Sequence, residues 1–180
     1  MTTTSASQGY RTINPATGEL LKSFDNATDQ QIADALDASQ AAYEQWSRKS
    51  VAERAAVVKR ISELLAERSK DIAALITTEM GKSLGAAVGE VRYGAQIFGY
   101  YADEAEELLA DQPIKQFSGQ EAFVQRLPIG PLLGIMPWNF PVYQVARFVA
   151  PNLMIGNTIL LKHAGICAAS ASLMEELLLQ

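Results

Sequence analysis

The sequence predicts an α/β protein in which helices come first and a parallel sheet follows. Up to about residue 110, apolar residues recur at spacings of three and four, the period of amphipathic helices. From residue 132 onwards, short apolar runs at 132–136 and 158–162 alternate with helical patterns at 142–153 and 168–179. A β-α-β-α order favours parallel strands joined by right-handed crossovers, as in nucleotide-binding α/β folds.

Composition and charge narrow the class of protein. Of the 180 residues, 48% are hydrophobic and 19% are charged, which is typical of a globular protein. The formal net charge of −5 argues against a nucleic-acid-binding surface, which needs clustered Lys and Arg. One Cys and one His cannot build a disulfide framework or a structural zinc site, so we predict no metal. With no signal-peptide pattern and no apolar stretch of about 18 residues, we expect a cytoplasmic protein without a membrane partner.

The amino-terminal part should contain a tail and a hairpin. Residues 1–9 are small and polar and are predicted to form a flexible tail. Segments 10–13 and 19–24 flank the turn-forming residues 14–18, which is typical of a β-hairpin.

Caps and periodicity then predict four helices. The first begins after the N-cap Thr28, and Ser50 with Glu53 forms a capping box at the start of the second. The third, 72–80, should end at a glycine, and the fourth covers 83–109 with Leu84 opening its inward face. The inward stripe of the first helix is expected to consist of Ile32, Leu36, Ser39, Tyr43 and Trp46.

The second half of the chain should form the sheet. Residues 121–127 alternate loosely and predict a strand. The continuous apolar run 132–136 predicts a strand buried on both faces, and a helix interrupted at Pro151 leads to a second such strand at 158–162. Two strands are few for a sheet that carries helices, so we expect only the first units of a larger domain.

Three features that often carry chemistry are assigned structural roles. The Gly-Lys-Ser motif at 81–83 resembles the end of a phosphate-binding loop, but Ile76 stands where that loop needs a glycine. Cys167 lies in an apolar setting, which favours a buried structural Cys over a nucleophile. His163 has no partner at ligand spacing, so local hydrogen bonding is favoured over catalysis.

The turn 137–141, with the sequence Pro-Trp-Asn-Phe-Pro, is the main candidate for a site. It follows a predicted strand, and ligands of open α/β sheets bind beyond the carboxyl ends of strands. Trp138 and Asn139 would therefore lie where a ligand binds. The Asn139 carboxamide has two N–H donors that can stabilise a developing oxyanion. A Pro-bounded turn without chemistry is the alternative, and the residues alone do not decide between the two.

Two cationic side chains, those of Arg147 and Lys162, each allow a functional and a structural interpretation. Arg147 lies in an apolar segment, where it could clamp a substrate carboxylate or form a structural salt bridge; the residue alone favours the salt bridge. Lys162 ends a predicted strand, where it could reach a nucleotide or simply lie in water, and the residue alone favours water.

Several motifs occur together in an order that resembles the aldehyde dehydrogenase superfamily. They are Asn14-Pro-Ala-Thr-Gly18, Ala52-Glu-Arg54, Thr78-Glu-Met-Gly-Lys82, Pro137-Trp-Asn-Phe-Pro141 and Gly156-Asn157 followed by Leu161-Lys162. Two variants, Leu161-Lys-His-Ala164 and Gln144-Val-Ala-Arg147, are similar to the succinate-semialdehyde dehydrogenase branch.

The resemblance implies an aldehyde dehydrogenase-like fold. Residues 10–180 would form the amino-terminal helices and the first β-α-β-α units of a Rossmann-like cofactor-binding domain. The catalytic domain would be absent, and 115–130 is a candidate oligomerisation strand segment. The complete enzyme would be a homodimer or homotetramer.

The resemblance also implies a role for each candidate residue. Asn139 would be the side-chain half of the oxyanion hole. Arg147, beside Tyr143, would hold the distal carboxylate of succinate semialdehyde. Lys162 would bond the adenosine ribose. The groove for the nicotinamide end of the cofactor would be lined by Ile135, Met136, Pro137 and Trp138.

The cofactor expected from the resemblance is NADP, with NAD left open. Members that prefer NAD often carry a Glu three residues after the lysine, where this chain has Gly165. A carboxylate there would repel a 2′-phosphate, so its absence makes NADP acceptable.

The expected activity is oxidation of an aldehyde to a carboxylic acid, with succinate semialdehyde giving succinate. The resemblance places the nucleophilic Cys, which would form a thiohemiacetal and then a thioester, beyond residue 180, so we expect the chain alone to be inactive. Two alternatives remain: a truncated, non-catalytic assembly or interaction module, and an aldehyde dehydrogenase of another substrate branch.

Overall fold

The computed structural model describes residues 9–115 and 119–180, and most of the predicted elements are found. The predicted tail, 1–9, lies outside the described residues except for Gly9. The elements in chain order are β1 (Tyr10–Ile13), β2 (Leu20–Phe24), α1 (Asp29–Trp46), α2 (Val51–Glu67), α3 (Ser69–Met80), α4 (Leu84–Asp103), α5 (Ala105–Leu109), β3 (Gln112–Pro113), β4 (Phe123–Val124), β5 (Pro131–Ile135), α6 (Tyr143–Ile155), β6 (Thr158–Lys162), a short 3-10 helix (Gly165–Cys167) and α7 (Ala168–Leu178).

Local side-chain chemistry sets the early boundaries as predicted. Strands β1 and β2 pair antiparallel, and Gly18 between them has a positive φ of 75°. The predicted N-cap Thr28 accepts from the Gln31 amide at 3.2 Å, and the predicted capping box forms, with Ser50 accepting from the Glu53 amide at 3.2 Å. The Ser50 hydrogen bonds lower the pKa of the Glu53 carboxyl, which keeps this cap ionised.

The predicted fourth helix is two helices, because the helical conformation is interrupted at Glu104 between α4 and α5. The inward assignment of Leu84 is wrong, since this side chain is 53% exposed. The face of α4 that carries Gly85 and Gly89 has no neighbour, because a Cβ built at either glycine would meet no atom within 4 Å. Further along, a Cβ at Gly94 would lie 2.9 Å from a methyl carbon of Val142, so α4 and α6 pack in close contact there.

Helices α2, α3, α4, α6 and α7 share one hydrophobic core. Its fully buried members include Val58, Ile72, Ile76, Val91 and Ala146. The predicted stripe of α1 does not join this core. Ile32 and Leu36 are 50% and 53% exposed, and only Ser39 of that stripe is buried, where it exchanges hydrogen bonds with Thr158 of β6.

Strands β5 and β6 are parallel, as predicted, with Pro131 opposite Thr158 and Ile135 opposite Lys162. The prediction that both strands are buried on two faces is wrong. One face packs on α6, where a Cβ at Gly134 would lie 2.6 Å from the Phe148 ring. The other face is open along β5, because Leu133 is 65% and Ile135 70% exposed. In β6 the carboxyl-terminal residues Leu161 and Lys162 are exposed as well.

The prediction of a strand over 121–127 is too long. In the described part of this segment, the strand is limited to Phe123–Val124, which pairs antiparallel with Gln112–Pro113, and both Phe123 and Val124 are exposed. The proposed oligomerisation segment 115–130 includes residues 116–118, which lie outside the described residues, so its role stays a prediction.

Helix α6 continues through Pro151 and is not interrupted there. The carbonyls near its end find side-chain donors in the helices that pack beside it. The Trp46 indole N–H donates to the Leu153 carbonyl at 3.0 Å, and the buried Arg54 guanidinium donates to the Met154 carbonyl at 2.8 Å. A cation at a helix C-terminus is stabilised by the helix dipole, which offsets part of the cost of burying Arg54. Within the described ranges, no helix is both long and apolar enough to cross a bilayer.

Candidate active site

The turn between β5 and α6 leaves the carboxyl end of the strand, as predicted. The Met136 amide donates to the Lys162 carbonyl at 3.0 Å, which extends the β5–β6 ladder to the start of the turn. Beyond it, Trp138 is 56% exposed and Asn139 is also exposed. The two side chains therefore lie outside the core at the strand end where α/β sheets bind ligands.

Two buried residues, His163 and Cys167, contact the backbone of the turn on its core side. His163 lies behind it, and its Nε2 donates to the Pro141 carbonyl at 2.8 Å while its Nδ1 accepts from the Ala164 amide at 2.8 Å. This pattern defines a neutral imidazole, and burial lowers the pKa of His163, which keeps it neutral. The predicted local hydrogen-bonding role of His163 is confirmed.

Cys167 is fully buried beneath the same turn, with its thiol 3.7 Å from the Trp138 carbonyl. Burial raises the pKa of this thiol to about 12, and the nearby Glu79 and Glu90 carboxylates act in the same direction. A neutral, inaccessible thiol cannot serve as a nucleophile at ordinary pH. The structural interpretation of Cys167 is confirmed.

Two residues that sequence reasoning missed also contact the turn. Lys82, which lies in the rejected Gly-Lys-Ser motif and in a family motif that gave it no role of its own, donates to the Asn139 carbonyl at 2.8 Å. Glu90 accepts from the Val142 amide at 2.8 Å. The side chains of Lys82 and Glu90 also form an ion pair with each other. The signal that could have found Glu90 is its position beside Val91 on the apolar stripe of α4, where a carboxylate needs a buried partner.

Arg147 is exposed, in contrast to the burial expected from its apolar segment. The salt-bridge interpretation is wrong for the part of the chain that the structure describes, where no carboxylate pairs with Arg147. Its neighbours on α6 explain the exposure: Val145, Ala146, Val149 and Ala150 turn into the core, and Arg147 lies on the opposite face. The guanidinium carbon lies 5.3 Å from the Tyr143 ring centroid, within the range of a cation–π contact.

Arg147 and Tyr143 line an open cavity of about 550 Å³ between α4 and α6. Most of the remaining wall is aromatic, formed by Tyr93, Tyr100 and Tyr101. Tyr93 stacks on Tyr143 at 5.4 Å between ring centroids, and Phe140 of the turn meets the same Tyr143 ring edge-on at 5.7 Å. The cavity therefore adjoins the Asn139 turn, and its wall includes one cationic side chain, that of Arg147.

A second surface lies at the ends of β5 and β6. Lys162 is exposed, and its ammonium lies 5.2 Å from the Tyr10 ring centroid. Gly165 faces the same ring, because a Cβ there would lie 2.7 Å from a Tyr10 ring carbon. Together with the exposed Ile135 and Trp138, this surface offers apolar area, one ammonium and a position without a side chain. These residues fit a dinucleotide, whose rings need apolar contacts and whose phosphates need a cation.

Comparisons with known proteins agree with this architecture. The sequence profile of the Aldehyde dehydrogenase family matches residues 2–180. The chain is 45% identical over 168 residues to a succinate-semialdehyde dehydrogenase [NADP(+)] of Deinococcus radiodurans, covering 93% of this chain and 35% of the relative. It is 43% identical over 155 residues to succinate-semialdehyde dehydrogenase [NADP(+)] 1 of Mycobacterium tuberculosis, covering 85% of this chain and 34% of the relative.

Solved structures show the same similarity. The succinic semialdehyde dehydrogenase of Streptococcus pyogenes in complex with NADP+ superposes with a TM-score of 0.90 at 42% identity, over 94% of this chain and 37% of that one. The NADP-dependent glyceraldehyde-3-phosphate dehydrogenase of Bacillus halodurans, complexed with NADP, gives 0.87 at 33% identity, over 96% and 37%. The chain thus spans about a third of the length of these relatives, and it belongs to the aldehyde dehydrogenase family.

Proposed function

We propose that this chain is the amino-terminal third of an NADP-dependent succinate-semialdehyde dehydrogenase, which oxidises the aldehyde group of succinate semialdehyde to a carboxylate. The observation that carries the proposal is Arg147, an exposed cation without a carboxylate partner among the described residues, in an aromatic cavity beside the Asn139 turn. The names of the most similar curated relatives point to the same substrate.

Arg147 suits the distal carboxylate of such a substrate. A guanidinium binds a carboxylate through two parallel hydrogen bonds, and in this structure the Arg147 guanidinium also makes a cation–π contact with Tyr143. The tyrosine walls would hold the short carbon chain and exclude water around the ion pair. The substrate would then extend from Arg147 toward the Asn139 turn, with Phe140 and Tyr143 between them.

At the turn, the Asn139 carboxamide would donate to the aldehyde oxygen as a nucleophile attacks the carbonyl carbon. The donor stabilises the oxyanion more than the neutral carbonyl, so it lowers the barrier for attack. Cys167 cannot supply the thiolate because it is buried and its pKa is raised to about 12. We therefore propose that the nucleophile lies outside these 180 residues and that the chain by itself is inactive.

The cofactor surface would be formed by the ends of β5 and β6. Lys162 would bind the ribose or phosphate oxygens of the adenosine half, while Ile135, Met136, Pro137 and Trp138 would line the nicotinamide groove. Gly165 places no negative charge near a 2′-phosphate, which favours NADP over NAD. When bound, NADP supplies the hydride acceptor for the oxidation.

The test is substrate discrimination in the full-length protein, meaning the product of the entire reading frame that contains this chain. Arg147→Ala should lower kcat/KM for succinate semialdehyde by roughly 100-fold, because a charge-assisted bidentate contact is lost, and by less than about threefold for butanal. Arg92→Ala, which removes an exposed arginine outside the cavity lining, is the matched control and should leave both values unchanged.

Equal losses on the two aldehydes would contradict the carboxylate clamp. A phosphorylated aldehyde belongs in the same panel, because Arg also binds phosphate and a similar structure is a glyceraldehyde-3-phosphate dehydrogenase. A preference for that aldehyde over succinate semialdehyde would assign the protein to another substrate branch.

Oligomerisation through 115–130 is also proposed, since the exposed Phe123 and Val124 lie on a two-residue strand with a free edge. Sedimentation of the full-length protein should show a dimer or tetramer. Phe123→Lys should then shift it toward the monomer.

A further inference from the structure

We propose that the ion pair of Lys82 and Glu90 is a positioning device for Asn139, which holds the 139–143 backbone so that the oxyanion donor faces the substrate. The inference rests on the proposed function, because it assigns the pair to that donor. It adds two positioning residues that touch neither substrate nor cofactor and act only through the turn.

The pair lies directly behind the turn. Lys82 belongs to the link between α3 and α4, and Glu90 lies two turns into α4. Their side chains form an ion pair that is 13% and 2% exposed. The Lys82 ammonium also donates to the Asn139 carbonyl at 2.8 Å and lies 3.9 Å from the Phe140 ring centroid.

Glu90 holds the other end of the same segment. Its Oε2 pairs with Lys82, and its Oε1 accepts from the Val142 amide at 2.8 Å and from the Tyr143 amide at 3.2 Å. These amides open α6, where an anion is also favoured by the helix dipole. One carboxylate thus fixes the end of the turn and couples it to the lysine at its start.

With His163 on the Pro141 carbonyl, every residue from 139 to 143 has a fixed contact. The backbone carbonyl of Asn139 is occupied by Lys82, whereas its carboxamide has no hydrogen bond to any residue that the structure describes. The fixed backbone sets the position of the Asn139 Cα before the substrate binds, and the exposed carboxamide has its donors available.

Stability alone is a poor reason to keep this pair. Removing two charges from water is costly, and an apolar pair of similar volume often stabilises a fold equally well or better. The pair does make directional contacts that an apolar replacement cannot make, at one carbonyl and two amides. These contacts explain its position behind the turn.

The test replaces the buried pair by an apolar pair. The Lys82→Met/Glu90→Leu variant should still fold, with some loss of stability because the buried 142 amide loses its acceptor, and the 142 and 143 amides should exchange with solvent at least about 10-fold faster. In the full-length protein, kcat should fall by about 10-fold to 100-fold with KM for NADP unchanged, since donor placement affects the transition state. Lys59→Met/Asp103→Leu, which removes the exposed pair joined at 2.7 Å, is the control and should change none of these values.

Two results would overturn the inference: unchanged exchange at 142 and 143, or kcat within about twofold of the parent despite faster exchange. If the double variant does not fold, Lys82→Met and Lys82→Arg take its place. The arginine variant keeps charge and donors and should recover most of the kcat lost with methionine; equal kcat in the two variants would also overturn the inference. An inactive parent would refute the proposed function instead, and the exchange result on the 180-residue chain would still decide whether the pair holds the turn.

Discussion

At the scale of single residues, Gly165 and Tyr10 are more closely linked than their separation in sequence indicates. The Tyr10 ring fills the space that a side chain at 165 would need and also contacts the Lys162 ammonium. The amino-terminal hairpin therefore forms one wall of the proposed adenosine site, and any substitution at 165 must be considered together with Tyr10.

Gly165→Glu should weaken NADP binding to the full-length protein by at least about 10-fold relative to NAD, because the new carboxylate repels a 2′-phosphate. The clash with Tyr10 should lower affinity for both cofactors, and adding Tyr10→Ala should restore NAD binding. Titration of each cofactor measures this. Gly85→Glu, which introduces the same charge where no atom lies within 4 Å, is the control. An unchanged ratio of NADP to NAD affinity would place the 2′-phosphate elsewhere.

Cys167 provides a second residue-scale prediction. Since its thiol is fully buried and its pKa is raised to about 12, it stays protonated at pH 8 and should not react with a thiol reagent in the folded chain. In denaturant one thiol per chain should react at once. Rapid reaction in the folded state would show that Cys167 is accessible, and the argument for a nucleophile outside this chain would fail.

The position of the candidate site was predicted from sequence because the signal for the turn is local, whereas the roles of its residues stay predictions. The turn at 137–141 is bounded by two prolines and follows an apolar run, so its place at a strand end could be inferred. The contacts of Lys82 and Glu90 could not be inferred, because they join α4 and the link before it to a turn more than about 50 residues later. Arg147 was expected to be buried because its neighbours are apolar, but helical periodicity turns it to the opposite face.

At the scale of elements, the packing of α4 differs along its length. Its amino-terminal glycines face open space, whereas Gly94 contacts α6 through Val142. The sequence alone cannot tell which of these glycines is exposed and which contacts another helix, because that depends on where the neighbouring helix lies. For the same reason the break at Glu104 and the open face of β5 were missed.

Alanine substitutions along α4 should therefore have opposite effects. Gly94→Ala should destabilise the chain by about 1–3 kcal/mol, because the new methyl would lie 2.9 Å from Val142. Gly85→Ala should stabilise it by about 0.5–1 kcal/mol, since alanine favours the helix and meets no neighbour. Denaturant unfolding of the two variants compares them directly. The same sign of change in both would contradict the packing described here.

At the scale of the whole molecule, apolar surface is exposed on the sheet and at the carboxyl-terminal end. Leu133, Ile135 and Leu179 are 65%, 70% and 82% exposed. The chain matches only 35% of the Deinococcus radiodurans relative, so the proposed full-length protein has further residues that can cover these faces. These open faces are the reason that the prediction of two fully buried strands is wrong for this chain, for which the sequence indicated only the first units of a larger domain.

The most direct test of the account is to assay the 180-residue chain and the full-length protein side by side with succinate semialdehyde and NADP, following NADPH by absorbance. We predict that only the full-length protein forms NADPH, and that Asn139→Ala in it lowers kcat by about 100-fold to 1000-fold, as expected for loss of an oxyanion donor. Turnover by the chain alone, or a full-length Asn139→Ala variant with the parent's kcat, would contradict the assignment of the turn as one part of a divided active site.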